Sequence, residues 1–261
     1  SKFTTAQVAV VTSTNVGALN SDQVAALTTA QVGTLDTAQV KAITTTSVAA
    51  MTTAQVAAMS TTQVSALTTG QMAALTGNEV KALSTSQVQA LGSTQVNALT
   101  NANVAAMSTT QVAALTTGQV NGLSTSAVSS LGTAQVKALS TEQMAAIESL
   151  DIKGLTTLQV QALTSEQIGA LDATQVSAMA DLQIAAISTT GDDAGIKGLK
   201  ADQIQSMTKA QVVALKTNQI AALDSDQIKS LDVNQISWLN DAQVKALKVD
   251  QIANLEAFQV E

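Results

Sequence analysis

The segment LTTAQV at residues 27–32 contains the signals that decide how this chain folds. Thr28 is a favourable N-cap residue, and Gln31 follows it three residues later, which is the spacing of a capping box. In that motif each side chain accepts a hydrogen bond from the other residue's backbone N–H. Leu27 and Val32 flank the pair at the spacing of a hydrophobic staple, which fixes how a chain enters a helix. We therefore predict that a short helix begins at this segment.

This segment recurs with a period of eight residues along the chain, with the consensus Thr-Thr-Ala-Gln-Val-Ala-Ala-Leu. Val, Ile or Met stands at every eighth residue from Val8 to Ile184 and again from Ile196 to Val260, at all 32 sites. The preceding residue is Gln at 25 of these sites. Another aliphatic residue stands three positions after each site, as far as Leu255. We call these three places the Gln, Val and Leu positions of each octad.

Three conformations of an octad compete, and the spacing favours one of them. In one continuous helix, eight residues overshoot two turns by about 80°, so the Val positions would form no apolar stripe. A half-buried strand needs apolar residues two apart, whereas the Val and Leu positions are three apart. One short helix per octad remains, and such a helix is unstable alone in water. The sequence therefore predicts an all-α, elongated solenoid of very short stacked helices, one for each eight-residue repeat.

The composition excludes several classes of protein. The chain has no Cys, His or Arg, and its Ser and Thr hydroxyls stand at capping positions without a general base, so we expect no enzyme, catalytic residue, cofactor or metal site. The net charge of −7 leaves no basic face for nucleic acid. No apolar run approaches the ~18 residues of a membrane span. We therefore expect no nucleic-acid partner and no membrane span.

One irregularity divides the array. Residues 188–195 insert half a repeat between a regular octad array at 1–187 and a second array at 196–261 with a C-terminal cap, and we expect one continuous solenoid. The pair Asp192-Asp193 could suggest calcium, but no EF-hand spacing accompanies it, which favours a solvated loop. Departures from Gln before the insertion are spaced by three or four octads, which indicates three or four helices per superhelical turn.

Two resemblances accompany the repeat. The stretch Leu27 to Leu35 is similar to the first helix of TAL effector repeats, although the proline, second helix and base-reading loop of that family are missing. The whole chain resembles Leu-Thr-x-x-Gln-Val-x-Ala arrays of large secreted or surface proteins of bacteria. The second resemblance implies an extracellular or cell-surface location more than an activity.

These observations predict a structural or adhesive repeat module of an exported bacterial protein, with a protein or glycan surface as its partner. The alternative is ice or polysaccharide binding by the Thr residues that follow the caps. Trp238 and Phe258 are candidate interface residues for self-association, or they plug the terminal coil as Phe3 does at the other end. Because Gln outnumbers Glu so strongly at a position where capping suits both, we expect these amides to be buried and bonded between repeats.

Overall fold

The computed structural model describes residues 3–191 and 193–260, and the side chains of Phe258 and Val260 lie outside its described part. Within these residues the fold is all-α, as predicted, and contains no strand. The α-helices are four to six residues long, slightly shorter than the five to seven that an octad suggests. Two octads form 3-10 segments instead, at Ile152–Gly154 and Gly195–Gly198. The helices are α1 Thr5–Ala9, α2 Ser13–Gly17, α3 Ser21–Ala25, α4 Thr29–Gly33, α5 Thr37–Ala42, α6 Thr45–Val48, α7 Thr53–Ala58, α8 Thr61–Ala66, α9 Thr69–Ala74, α10 Gly77–Ala82, α11 Thr85–Gln89, α12 Ser93–Asn97, α13 Asn101–Ala106, α14 Thr109–Ala113, α15 Thr117–Asn121, α16 Thr125–Ser130, α17 Thr133–Lys137, α18 Thr141–Ala145, α19 Thr157–Gln161, α20 Ser165–Ala170, α21 Ala173–Ala178, α22 Asp181–Ile184, α23 Ala201–Gln205, α24 Lys209–Ala214, α25 Thr217–Ala222, α26 Ser225–Lys229, α27 Val233–Trp238, α28 Asp241–Ala246, α29 Val249–Ala253 and α30 Ala257–Val260.

The capping box starts these helices in the way that the sequence predicts. At α4 the backbone N–H of Gln31 donates to Thr28 Oγ1 over 3.2 Å, and the N–H of Thr28 donates to Gln31 Oε1 over 2.8 Å. The cap Gly92 has no side chain and that of Lys200 accepts no bond, yet Gln still accepts the cap N–H, at 2.8 and 2.7 Å. The bond that Gln accepts therefore persists at these helices without the other half of the motif.

Each helix ends through two consecutive extended residues. The Leu position comes first, as at Ile43 with φ −60° and ψ 129°, and the next cap follows, as at Thr44 with φ −66° and ψ 153°. The N–H of Ile43 still bonds the carbonyl of Val40, at 3.3 Å, and closes the last turn. The bend between helices is therefore spread over both residues. Among the described residues, Gly191 alone has a positive φ, so the bends themselves need no glycine.

The chain divides into two compact units, residues 1–131 and 132–261. In the first unit α1 to α13 each pack against the helix three places further along, as α2 does with α5, and α7 with α10. In the second unit α25 packs against α28 in the same way. The core of each unit consists of the Val and Leu positions, such as Val64 and Leu67 in the first and Ile220 and Leu223 in the second. In each unit, successive short helices therefore wind into a solenoid in which helices three places apart are in contact.

Candidate functional site: the glutamine ladder between turns

The Gln position links each turn to the turn before it. Gln63 is 3% exposed, and its Oε1 accepts the N–H of its own cap, Ser60, at 2.7 Å. Its Nε2 donates to the carbonyls of Val32 at 2.8 Å and Leu35 at 2.7 Å, which lie 31 and 28 residues earlier. One side chain therefore starts its own helix and fastens that helix to the preceding turn.

The same arrangement recurs in both units, and we call it the glutamine ladder. In the first unit Gln95 and Gln111 donate to carbonyls 31 and 28 residues earlier. In the second unit Gln243 donates to Val212 at 2.9 Å and to Leu215 at 2.7 Å. The prediction that Gln63, Gln95 and Gln111 are buried and bonded between repeats is confirmed. Because the bonds span more than three octads and fewer than four, one turn takes between three and four octads.

The ladder explains why this position takes an amide. The cap N–H requires an acceptor, and the carbonyls of the preceding turn require a donor. Of the neutral side chains long enough to reach both, glutamine offers an acceptor oxygen and a donor nitrogen on one rigid plane. Shorter polar residues make part of the arrangement: Asn103 Nδ2 donates to the Leu75 carbonyl at 2.7 Å, and Ser47 Oγ to that of Leu19 at 3.2 Å.

Besides Asp151, Glu79 is the one carboxylate at a Gln position. Its Oε2 accepts the Thr76 N–H at 2.6 Å, as a Gln would, but Oε1 has no hydrogen-bond partner although the residue is 2% exposed. Burial raises the pKa of the Glu79 carboxyl, and the bonds from Thr76 lower it by less. The equivalent acceptor one turn earlier is the Met51 carbonyl. An ionised carboxylate has no proton to donate to this carbonyl. Glu79 therefore lacks the bond to the preceding turn that each Gln of the glutamine ladder makes, and we call each such octad a rung of the ladder.

The inserted residues 188–195 leave the ladder in register. Beyond them Gln203 donates to Ile168 and Leu171, at 2.8 and 2.6 Å, across sequence separations of 35 and 32. These separations are each four longer than those of Gln63. The insertion therefore forms a bulge, in which Thr190, Gly191 and Asp193 are exposed and Gly191 has φ +87°. The N–H of Ile196 bonds the Ser188 carbonyl at 3.0 Å and closes the base of the bulge.

A polar cavity of about 370 Å³ lies beside this bulge. Thr157, Gln161 and Lys216 contribute to its lining, and Asn218 Nδ2 donates to Thr189 Oγ1 across 2.9 Å. Of the two acidic residues that could suggest calcium, Asp193 is exposed and Asp192 lies outside the described residues. Throughout 3–191 and 193–260, no three His, Cys, Asp or Glu side chains are grouped where they could hold a metal.

Two glycines allow a close approach that our sequence reading did not identify. A Cβ on Gly198 would lie 1.9 Å from the carbonyl oxygen of Ser165, and one on Gly169 would lie 2.9 Å from the carbonyl oxygen of Gly198. The backbone of the second 3-10 segment therefore lies directly against α20. A signal was present, because the sequence IKGL occurs at both 3-10 segments, at 152–155 and 196–199.

The other candidate surfaces lie on the outside of the units. The Thr residues that follow the caps are exposed in successive octads: Thr29, Thr37, Thr45, Thr53, Thr61 and Thr69. Trp238 ends α27, half-buried, at a place where most octads have Ala. The side chain of Phe258, the other candidate interface residue, lies outside the described part of the chain.

Comparison with known proteins identifies a repeat family. The family model described as the ALTTAQ repeat matches residues 21–53, 48–77, 69–101, 97–125, 112–146, 144–181, 209–241 and 220–257. No curated protein matches the chain significantly. Of the helices that the structure describes, none has the length and apolar character needed to cross a bilayer.

Proposed function

Because the chain belongs to the ALTTAQ repeat family, we propose that it is a structural repeat module, a spacer with an extended interaction surface, in an exported bacterial protein. The observation that carries this proposal is the glutamine ladder. Its regular rungs use the same bonds, so octads can be added without a new kind of contact. Such an array sets distance and presents surface, and the absence of His and Cys from the sequence fits a role without catalysis.

The export and adhesion parts of the proposal rest on the likeness to bacterial surface arrays. An antibody against the chain should label intact cells of the source organism, and protease added outside should remove the label. Labelling that requires lysis of the cells would contradict export and leave the structural role in place. The recombinant chain coated on beads should bind the host or neighbouring cell surface if the module is adhesive.

A second candidate function is ligand binding by the Thr array, favoured by the exposure of these hydroxyls in successive octads. Regularly spaced hydroxyl and methyl groups could match ice or a polysaccharide. Thermal hysteresis and a glycan array test the two ligands. Thr37, Thr61 and Thr85 are exposed on helices three places apart, and replacing them by Ser keeps their hydroxyls and removes their methyl groups, so it should weaken ice binding. If the unaltered chain shows neither thermal hysteresis nor glycan binding, this candidate is excluded.

A further inference from the structure

Three exposed leucines share one position of the octad, the residue before the Gln position. Leu150 is 71% exposed, Leu158 67% and Leu182 74%. In the octads from residue 4 to residue 255, every other residue at this position is Ala, Gly or polar, so the repeat itself requires no large apolar side chain there. All three leucines fall within residues 148–187, in the second unit. Single exposed leucines are ordinary on a protein surface, whereas a group of them in one region marks an interaction site.

The fold brings these leucines into neighbouring octads. Gln183 donates Nε2 to the carbonyl of Leu155 at 2.6 Å, which fastens the octad of Leu182 to that of Leu150. The helix of Leu182, α22, also packs against α19, which carries Leu158. The octads of Leu150 and Leu158 follow each other directly in the chain. The three leucines therefore stand, exposed, on three octads that adjoin one another, and we call them the leucine patch.

Carboxylates border the leucine patch. An aspartate is the direct chain neighbour of two of the leucines, with Asp151 after Leu150 and Asp181 before Leu182. The three octads of the patch carry three acids and one lysine, and residues 148–261 as a whole carry fifteen acids and eight lysines. An anionic membrane or a second acidic copy of the chain would therefore meet like charge here. A partner with basic side chains meets opposite charge, which favours it.

We propose that the leucine patch docks a protein segment that presents apolar side chains flanked by lysine or arginine. Covering the leucines removes apolar surface from water and supplies the affinity, while the carboxylates select the basic partner. The leucines are not needed for the fold, because octads with Ala at the same position, such as Ala38 and Ala54, make the same ladder bonds. The proposal goes beyond the spacer role and is independent of export.

Fluorescence anisotropy with a defined peptide tests the proposal. The probe is a fluorescein-labelled helical peptide with leucines along one face and lysines on both flanks, titrated with the chain as it stands. The parent chain should bind it saturably, and L150A/L158A/L182A should bind it on the order of 100-fold more weakly. This variant keeps every charge, and equal far-UV circular dichroism spectra and melting curves show that it folds. The variant E148Q/D181N should bind several-fold more weakly, with a smaller dependence on salt.

Matched controls separate docking at the leucine patch from non-specific hydrophobic binding. The variant V213A/V233A/V249A shortens three exposed apolar side chains elsewhere in the second unit, and it should bind the peptide like the parent. A peptide with glutamate in place of each lysine should not bind. A parent chain that does not bind the lysine peptide, binding that survives L150A/L158A/L182A, or equal binding of the glutamate peptide would each overturn the proposal. Leucine-dependent self-association in sedimentation velocity would also overturn it, because the occupant would then be a second copy.

Discussion

Replacing Glu79 by Gln should raise the stability of the first unit at neutral pH. The neighbouring rungs show what the new amide would gain: Gln71 donates to the carbonyls of Val40 and Ile43 at 2.8 and 2.7 Å. Two such bonds are worth about 0.5–1.5 kcal/mol each, and the substitution also removes a buried oxygen without a partner, at about 1–3 kcal/mol. We expect a net gain of about 2–4 kcal/mol, since the contributions are not fully additive.

The gain should depend on pH, and the sign follows from the raised pKa of Glu79. A raised pKa in the folded state means that the folded chain binds the proton more tightly, so stability is lost as pH rises from the ordinary value of 4.5 through the raised one. Below that window the protonated carboxyl can itself donate to the preceding turn, and the advantage of Gln shrinks. No charged side chain stands on α7 or α13, which pack against α10, and Lys81 on α10 is exposed.

Urea unfolding followed by far-UV circular dichroism at pH 7 and pH 4 measures the effect. Glu79→Gln should move the midpoint upward at pH 7, with a smaller shift at pH 4. Glu166→Gln is the matched control, because this carboxyl is largely solvent-accessible and hydrogen bonds from its own N–H and Thr164 lower its pKa. The control should bring no gain at neutral pH. A Glu79→Gln variant that unfolds like the parent at pH 7, or gains equally at both pH values, would refute the reasoning.

Three further predictions follow from the ladder and the packing. Gln111→Glu should destabilise the first unit by about 2–4 kcal/mol at pH 7, because the variant loses the donor to the preceding turn. Its stability should return at acid pH in the same urea unfolding assay. An unchanged unfolding midpoint at neutral pH would show that Gln111 only caps its own helix at the surface. Deleting the octad 93–100 should lower the melting temperature slightly, whereas deleting only 97–100 should lower it far more, since it shifts every later Gln out of register; equal damage would contradict a register-based core. Gly198→Ala should destabilise by several kcal/mol because a Cβ would meet backbone, while Gly118→Ala, with nothing within 4 Å, should gain about 0.5–1 kcal/mol in chemical unfolding; similar results for the two would argue against the close approach.

The helices and the buried amides were predictable because their signals are local. Thr28 and Gln31 lie three residues apart, so one octad contains the whole capping box and staple. We predicted the burial of Gln63 because Gln is far more frequent than Glu at a position where both residues cap a helix equally well. No information beyond the octad was needed for either inference.

The number of octads per turn was harder to predict from the sequence, because it depends on the backbone angles of several residues together. The spacings of three and four octads between exceptions bracket the reach of the ladder bonds, yet the value itself depends on two extended residues such as Ile43 and Thr44. The closeness of Gly198 to Ser165 depends on how a 3-10 segment meets α20, a contact between octads that are distant in the sequence. Long-range contacts of this kind leave only a weak trace in one sequence.

Hydrogen exchange of the Gln side-chain amides, followed by NMR, tests the glutamine ladder most directly. If the ladder joins successive turns, the Nε2 protons of buried rungs such as Gln63, Gln111 and Gln243 should exchange slowly, as protected as the backbone of the core. Exposed Gln23 and Gln89 should exchange at once. Fast exchange at every Gln side chain, under conditions where the backbone amides of the helices stay protected, would contradict the ladder.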